Sequence, residues 1–228
     1  MKRMLLAVAI GCAAFGAARS ADAVNFNVDP AASWIGFMNV SNLPADGGAY
    51  QFGSSWGTAD LTAVFSPTVN PTTLTLGPNT IGDQATYWYN GGGAPGNPGN
   101  KIMDASFYVE TPTGSLAGQS VTFSGTVLAN SLVSPYTSVA FIKDFAPDYS
   151  SNIAVTIPLT PGPFSITLNA LNDPLRHVQY GFETIGPNVW ITDVGPKGTV
   201  QIQAVPEPAT ACLAALGLAA IAGAARRR

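Results

Sequence analysis

Between Val24 and Ala204 the chain has no cysteine, one histidine (His177) and only four basic residues. Its two cysteines, Cys12 and Cys212, lie outside that span. A body without cysteine has no disulfide frame and no thiolate nucleophile, and a lone imidazole excludes a metal centre built on Cys and His clusters. Lys101, Lys143, Arg176 and Lys197 stand against twelve acidic residues between Val24 and Pro208, a net charge of −8. Nucleic acids are held by neutralising phosphates with Lys and Arg, so this balance argues against such a partner. It argues equally against adhesion to anionic lipid. Helical periodicity sustained over three turns is also missing from the body.

Glycine and proline are frequent instead, with 24 and 18 residues in the whole chain. Between these turn formers run short apolar–polar alternations of the kind half-buried strands show. Val121, Phe123, Val127 and Ala129 alternate with Thr122, Ser124 and Thr126; Phe164, Ile166 and Leu168 alternate with Ser165 and Thr167. Val178, Tyr180 and Phe182 alternate with His177 and Gln179. Further strands are expected over 34–40, 60–65, 72–76, 84–89, 102–109, 138–145, 152–158, 188–192 and 199–204. The expected fold is all-β: a two-sheet β-sandwich, jelly-roll-like, of roughly ten to twelve strands. About 185 residues suffice for one such domain, placed at 24–204. An outer-membrane barrel does not fit, because the strands are short and no aromatic girdle repeats.

The ends read differently. Met1-Lys2-Arg3 is followed by an apolar run from Leu5 to Ala18 and by Ala21-Asp22-Ala23, a small-x-small cleavage site. Residues 1–23 are therefore expected to be a signal peptide cut after Ala23, with an uncleaved anchor as the alternative. At the other end, Val205-Pro206-Glu207-Pro208 is followed by an uncharged stretch over 209–225 and by Arg226, Arg227 and Arg228. The stretch is at the short end of the roughly 17–25 residues that span a bilayer. Terminal arginines hold such a helix with its end on the cytoplasmic side.

Chemistry-bearing constellations are few. Tyr87-Trp88-Tyr89 precedes the glycine-rich run Asn90 to Asn100, and a strand period of two would set Trp88 on the face opposite both tyrosines. With Trp190, these aromatics are the candidate ligand-binding residues. Aromatic rings stack on sugars, although a buried Trp or Tyr with a satisfied N–H or O–H is the plainer reading. The glycine-rich run lacks the following helix that a phosphate-binding loop requires. Asp144, Asp148 and Asp193 match no calcium-loop consensus and are expected at solvated strand ends. Glu110 and Glu183 are the only glutamates outside Pro206-Glu207-Pro208, and glycoside hydrolysis would need two carboxylates across a cleft. His177 has no nominated nucleophile, and Gly53-Ser54-Ser55-Trp56-Gly57 lacks the strand-to-helix turn of a nucleophile elbow. No catalytic residue, metal ligand or cofactor is nominated.

The motif Val205-Pro206-Glu207-Pro208, apolar stretch and arginine tail, in that order, resemble the PEP-CTERM protein-sorting signal over 205–228. The resemblance implies recognition by an exosortase-type enzyme in the inner membrane, cleavage near the motif, and release to the cell surface or an extracellular polysaccharide matrix. A plain single-pass anchor is the alternative. Signal peptidase and the exosortase are the implied processing partners. In architecture and aromatics the body loosely resembles carbohydrate-binding modules, which implies a non-catalytic protein associated with exopolysaccharide. A secreted glycan hydrolase and a purely structural matrix component stay open beside it.

Overall fold

A computed structural model describes residues 23–66 and 72–204. Twelve strands are present: Val24–Phe26 (β1), Ile35–Asn42 (β2), Tyr50–Trp56 (β3), Ala63–Ser66 (β4), Thr73–Leu76 (β5), Lys101–Glu110 (β6), Ser120–Asn130 (β7), Thr137–Phe145 (β8), Asn152–Pro158 (β9), Gly162–Asn169 (β10), His177–Pro187 (β11) and Val200–Gln203 (β12). The described residues contain no α-helix, only three short 3-10 turns.

Six strands form each of two sheets. The second sheet runs β3-β2-β6-β11-β8-β9. In the first, β7 lies between β10 on one side and β12 on the other, and β5 and β4 follow beyond β12. The pairings nest. β5 pairs with β12, β6 with β11, β7 with β10 and β8 with β9, all antiparallel. Successive pairs fall in alternate sheets, as if one long hairpin had been rolled over itself. β1 is the exception in direction, lying parallel to β7.

Alternation decides which side chains meet between the sheets. Met38, Met103, Phe107, Ile142 and Phe182 come from the second sheet, and Leu74, Phe123, Val200 and Ile202 from the first; all are buried. Burying each such side chain stabilises the fold by roughly 1.5–3 kcal/mol. Trp34 stacks on Phe107 at 4.6 Å and donates its indole N–H to the Asp29 carbonyl at 2.7 Å. Phe123 closes the centre against Tyr180 and Phe182, at 5.1 and 5.3 Å.

Three expected strands need correction. Residues 84–89 are loop and turn rather than strand, and 188–192 are loop with one isolated bridge. Residues 60–65 start in the 3-10 turn Thr58–Leu61, and β4 begins only after Thr62, whose φ is 53°. Thr, Tyr, Trp and Ile favour strands because they pack on pleated surfaces, yet 84–89 and 188–192 meet a neighbour only through the isolated bridges Tyr89–Gly99 and Thr80–Val189. Asp144 is also not at a solvated strand end. It is fully buried and accepts hydrogen bonds from the Leu171 N–H and Arg176 Nε, both at 2.9 Å.

The sorting motif, the stretch over 209–225, the three arginines and all but the last residue of the expected signal peptide lie outside the described residues. No helix among the described residues is long and apolar enough to cross a membrane.

Candidate functional site

The outer face of the second sheet carries an open groove of about 490 Å³. Alternation selects its lining from four adjacent strands and one edge. β6 supplies Ser106, Tyr108 and Glu110, and β11 supplies Gln179. β8 supplies Lys143 and Phe145, with Tyr149 from the following turn. The opposite wall is Ile35, Phe37 and Asn39 of β2, with Ser55 of β3. Strands sit about 4.8 Å apart, so the walls on β2 and β8 are separated by roughly 14 Å.

Gly181 shapes the floor. A Cβ there would run into the Phe107 carbonyl and the backbone of Tyr108. Without one, Tyr108 packs close over β11.

One end of the groove is organised around Glu110. Its carboxylate accepts from Gln179 Nε2 at 2.6 Å and from the Tyr149 hydroxyl at 3.0 Å. The Tyr149 ring stacks on His177 at 4.6 Å, and His177 Nδ1 lies 3.8 Å from Glu110. Desolvation of the hydroxyl, and after it the Glu110 carboxylate, push Tyr149 up to about 12. Tyr149 therefore stays a neutral donor throughout the physiological range. The residue remains 47% exposed at the mouth of the groove.

Farther along the same face, Lys143 pairs with Glu183 at 2.5 Å. Asp104 lies diagonally across from Glu183, since Asp104 is in register with Ile185 and Glu183 with Ser106. Burial, then the Glu183 charge, raise Asp104 to about 6, against the opposing pull of Lys143 and a hydrogen bond from Asn39. Its Oδ1 is buried without a hydrogen-bond partner. Among the described residues no group of three or more His, Asp or Glu is placed to hold a metal ion.

None of the four aromatics singled out from the sequence lines this groove. Tyr89 is fully buried, and its hydroxyl donates towards the Ile81 and Val189 carbonyls, 2.6 and 2.8 Å away. Trp190 is buried edge-on to Tyr89, with ring centroids 5.5 Å apart. Both rings pack inward, and Trp190 also lines a second pocket beside the glycine-rich run. They anchor the glycine-rich run, because a Cβ at Gly93 would meet Trp190 at 2.5 Å. Tyr87, 40% exposed beneath the Lys101 ammonium, and the half-buried Trp88, packed on Phe52, are the more exposed of the four. The period of two that would oppose Trp88 to both tyrosines fails with the strand: Tyr87 faces out and Tyr89 in.

The residues that do meet in the groove were recognisable only in part. Glu110, Glu183 and His177 are on its face. Phe37, Tyr108, Tyr149 and Gln179 were missed as site residues. For Tyr108 and Gln179 the one local signal is that β6 and β11 carry polar or aromatic groups at alternate positions (Ser106, Tyr108, Glu110; His177, Gln179, Glu183).

The body is a two-sheet β-sandwich with an open groove across the outer face of its second sheet. Residues 204–228 match the PEP-CTERM protein-sorting motif. That signal marks an exported protein, anchored in the membrane and then processed by an exosortase-like enzyme. No curated protein and no solved structure matches the chain.

Proposed function

We propose that this is a non-catalytic surface or matrix protein whose jelly-roll body binds exopolysaccharide in the outer groove of its second sheet. The nested pairing of β5 to β12 supports the jelly-roll reading, as two Greek keys rolled together give that order. The observation that carries the binding reading is the groove itself. It combines an exposed aromatic residue (Tyr149) and apolar wall (Ile35, Phe37) with fixed amide, carboxylate and ammonium groups (Gln179, Glu110, Lys143). A sugar presents the same mixture, apolar ring faces edged with hydroxyls. Each glutamate on this face already has a fixed partner, Glu110 with Gln179 and Tyr149 and Glu183 with Lys143, which supports a binding surface over a hydrolytic pair.

The test is a glycan array probed with the full-length protein in detergent and with its processed form. Tyr149→Ala and Gln179→Ala are expected to weaken binding at least tenfold, and Tyr87→Ala to leave it unchanged. Uniform failure to bind refutes the reading, as does loss of binding in Tyr87→Ala alone.

One observation favours a second reading, a glycan hydrolase. Asp104 and Glu183 are diagonal neighbours, about 7–8 Å apart, and the raised Asp104 beside an ion-paired Glu183 is the pattern of an acid with an ionised partner. The buried Asp104 Oδ1 weighs against it, since that oxygen has no path to a glycosidic bond. Release of reducing ends by the wild type, abolished in Asp104→Asn, would establish it.

A further inference from the structure

β9 is an outermost strand of the second sheet and pairs with β8 alone. An outermost strand offers unpaired N–H and C=O groups to any extended chain, and sheets guard it with a short length, a bulge, a proline or a lysine. The other outermost strands carry such guards. β1 and β4 have three and four residues, β3 is bulged opposite Val40 and Ser41, and β10 carries Pro163. β9 has seven residues, and its one proline is the last of them, Pro158. No charged residue occurs between Asp148 and Asp173, so neither β9 nor the turn after it is guarded by charge.

Ala146 N–H donates to the Ser151 carbonyl at 2.8 Å, and Leu159 N–H to the Ser138 carbonyl at 3.1 Å, at the two ends of the β8–β9 ladder. In between, Ile153 lies opposite Asp144, Val155 opposite Ile142 and Ile157 opposite Ala140. Hydrogen-bonded positions recur at every second residue of an antiparallel pair. Ile153, Val155 and Ile157 therefore turn their N–H and C=O groups to β8, and Asn152, Ala154 and Thr156 turn theirs to the free edge. Pro158 falls on the same free side, where its missing N–H takes nothing from the ladder. The side chains of Ile153, Val155 and Ile157 share the inner face with the buried Ala140 and Ile142. Yet Ile153 is 38% exposed and the other two are only half-buried. A strand added beyond β9 would complete their cover.

We propose that β9 is the docking edge for β9 of a second copy of this chain, joined antiparallel about a two-fold axis at Ala154 into one continuous sheet. The strand is complementary to itself in that register. Ala154 faces its own counterpart and Asn152 faces Thr156 of the other copy, so every free N–H meets a free C=O, two bonds to each pair. On the inner face Ile153 of each copy meets Val155 of the other, and the half-exposed row is covered from both sides. An isologous contact uses one patch twice and closes at two subunits, and no charge from either strand enters it. The axis stands perpendicular to the sheet, so both outer grooves face the same way. The joint is independent of what those grooves bind; if they bind glycan, two side by side raise avidity for a polymer.

The test is sedimentation of the full-length protein in detergent over a concentration series. Wild type should dimerise reversibly. Ala154→Lys sets two ammonium groups opposite each other at an exposed position, and Thr156→Pro removes an edge donor without removing a bond to β8. Each should weaken the dimer at least tenfold while circular dichroism stays that of wild type; if one variant unfolds, the other decides. In a Cys12→Ser, Cys212→Ser background, Ala154→Cys alone should form a disulfide dimer on oxidation, its Cα lying about 5.5 Å from its counterpart. Asn152→Cys alone and Thr156→Cys alone should not, each being about 13 Å from its counterpart, whereas a mixture of the two should. A wild type that stays monomeric throughout the series overturns the proposal. So does a dimer that both folded edge variants leave intact, since the tail they share with wild type would then hold it. Thr156→Cys crosslinking alone as fast as Ala154→Cys overturns it as well. Glycan binding that fails while the edge-dependent dimer persists refutes the groove reading and supports the joint.

Discussion

Asp104→Asn should stabilise the protein at neutral pH and do nothing in acid. Asp104 is raised from 3.8 to about 6 by burial and by Glu183. A carboxyl raised by roughly two units has an ionised form disfavoured by about 3 kcal/mol in the folded state. The sign follows from proton counting. Below about pH 4 both states hold the proton, so ionisation costs nothing. Between about pH 4 and 6 the folded state keeps a proton that the unfolded state has released, and stability falls as pH rises. Above pH 6 the whole penalty is present. Asparagine has the same shape and no charge, so urea midpoints of the two proteins should coincide near pH 3.5 and diverge through pH 4–6. By pH 7 the variant should lead by about 2–3 kcal/mol. The comparison between the two proteins isolates Asp104 from the other carboxylates, which titrate in both. A difference that does not change with pH, or a variant weaker than wild type at pH 7, would refute the reasoning.

Other outcomes follow from the same contacts. Tyr89→Phe removes the donor shared by the Ile81 and Val189 carbonyls. It should cost about 1–3 kcal/mol in urea denaturation while leaving glycan binding intact. Arg176→Met leaves the fully buried Asp144 without its cation. A loss of about 3–5 kcal/mol is expected, mostly recovered in the double variant Arg176→Met/Asp144→Asn, read from thermal or urea unfolding. A double variant as weak as the single one would show that Arg176 acts through packing rather than charge.

The two-sheet body was legible because its long strands alternate cleanly. Val121, Phe123 and Val127 in β7, and Val178, Tyr180 and Phe182 in β11, fall inside as the period of two requires. Residues 84–89 and 188–192 misled because strand propensity is a statement about packing surfaces, and here the surface is supplied by a contact a hundred residues away, the Tyr89 hydroxyl on the Val189 carbonyl. The groove was illegible for a related reason. Each strand shows its own alternation, but the site exists only where β2, β6, β11 and β8 lie side by side. Nothing local tells that Phe37 and Tyr149 form opposite walls. Glu110 and Glu183 were visible as residues, but their separation along one face depends on register.

The junction between body and tail constrains where processing can occur. The matched motif starts at Ala204, which is buried and one residue past β12. β12 lies inside the first sheet, paired with β5 on one side and β7 on the other, and Val200 and Ile202 are fully buried. A cut upstream of Ala204 would detach part of a central strand. Losing those two side chains alone forfeits roughly 3–6 kcal/mol of burial, comparable with the 5–15 kcal/mol by which domains are usually stable. A cut after Ala204 leaves every strand of the described residues whole. The fold therefore sets Ala204 as the upstream limit for a cut that releases the tail and leaves β12 whole.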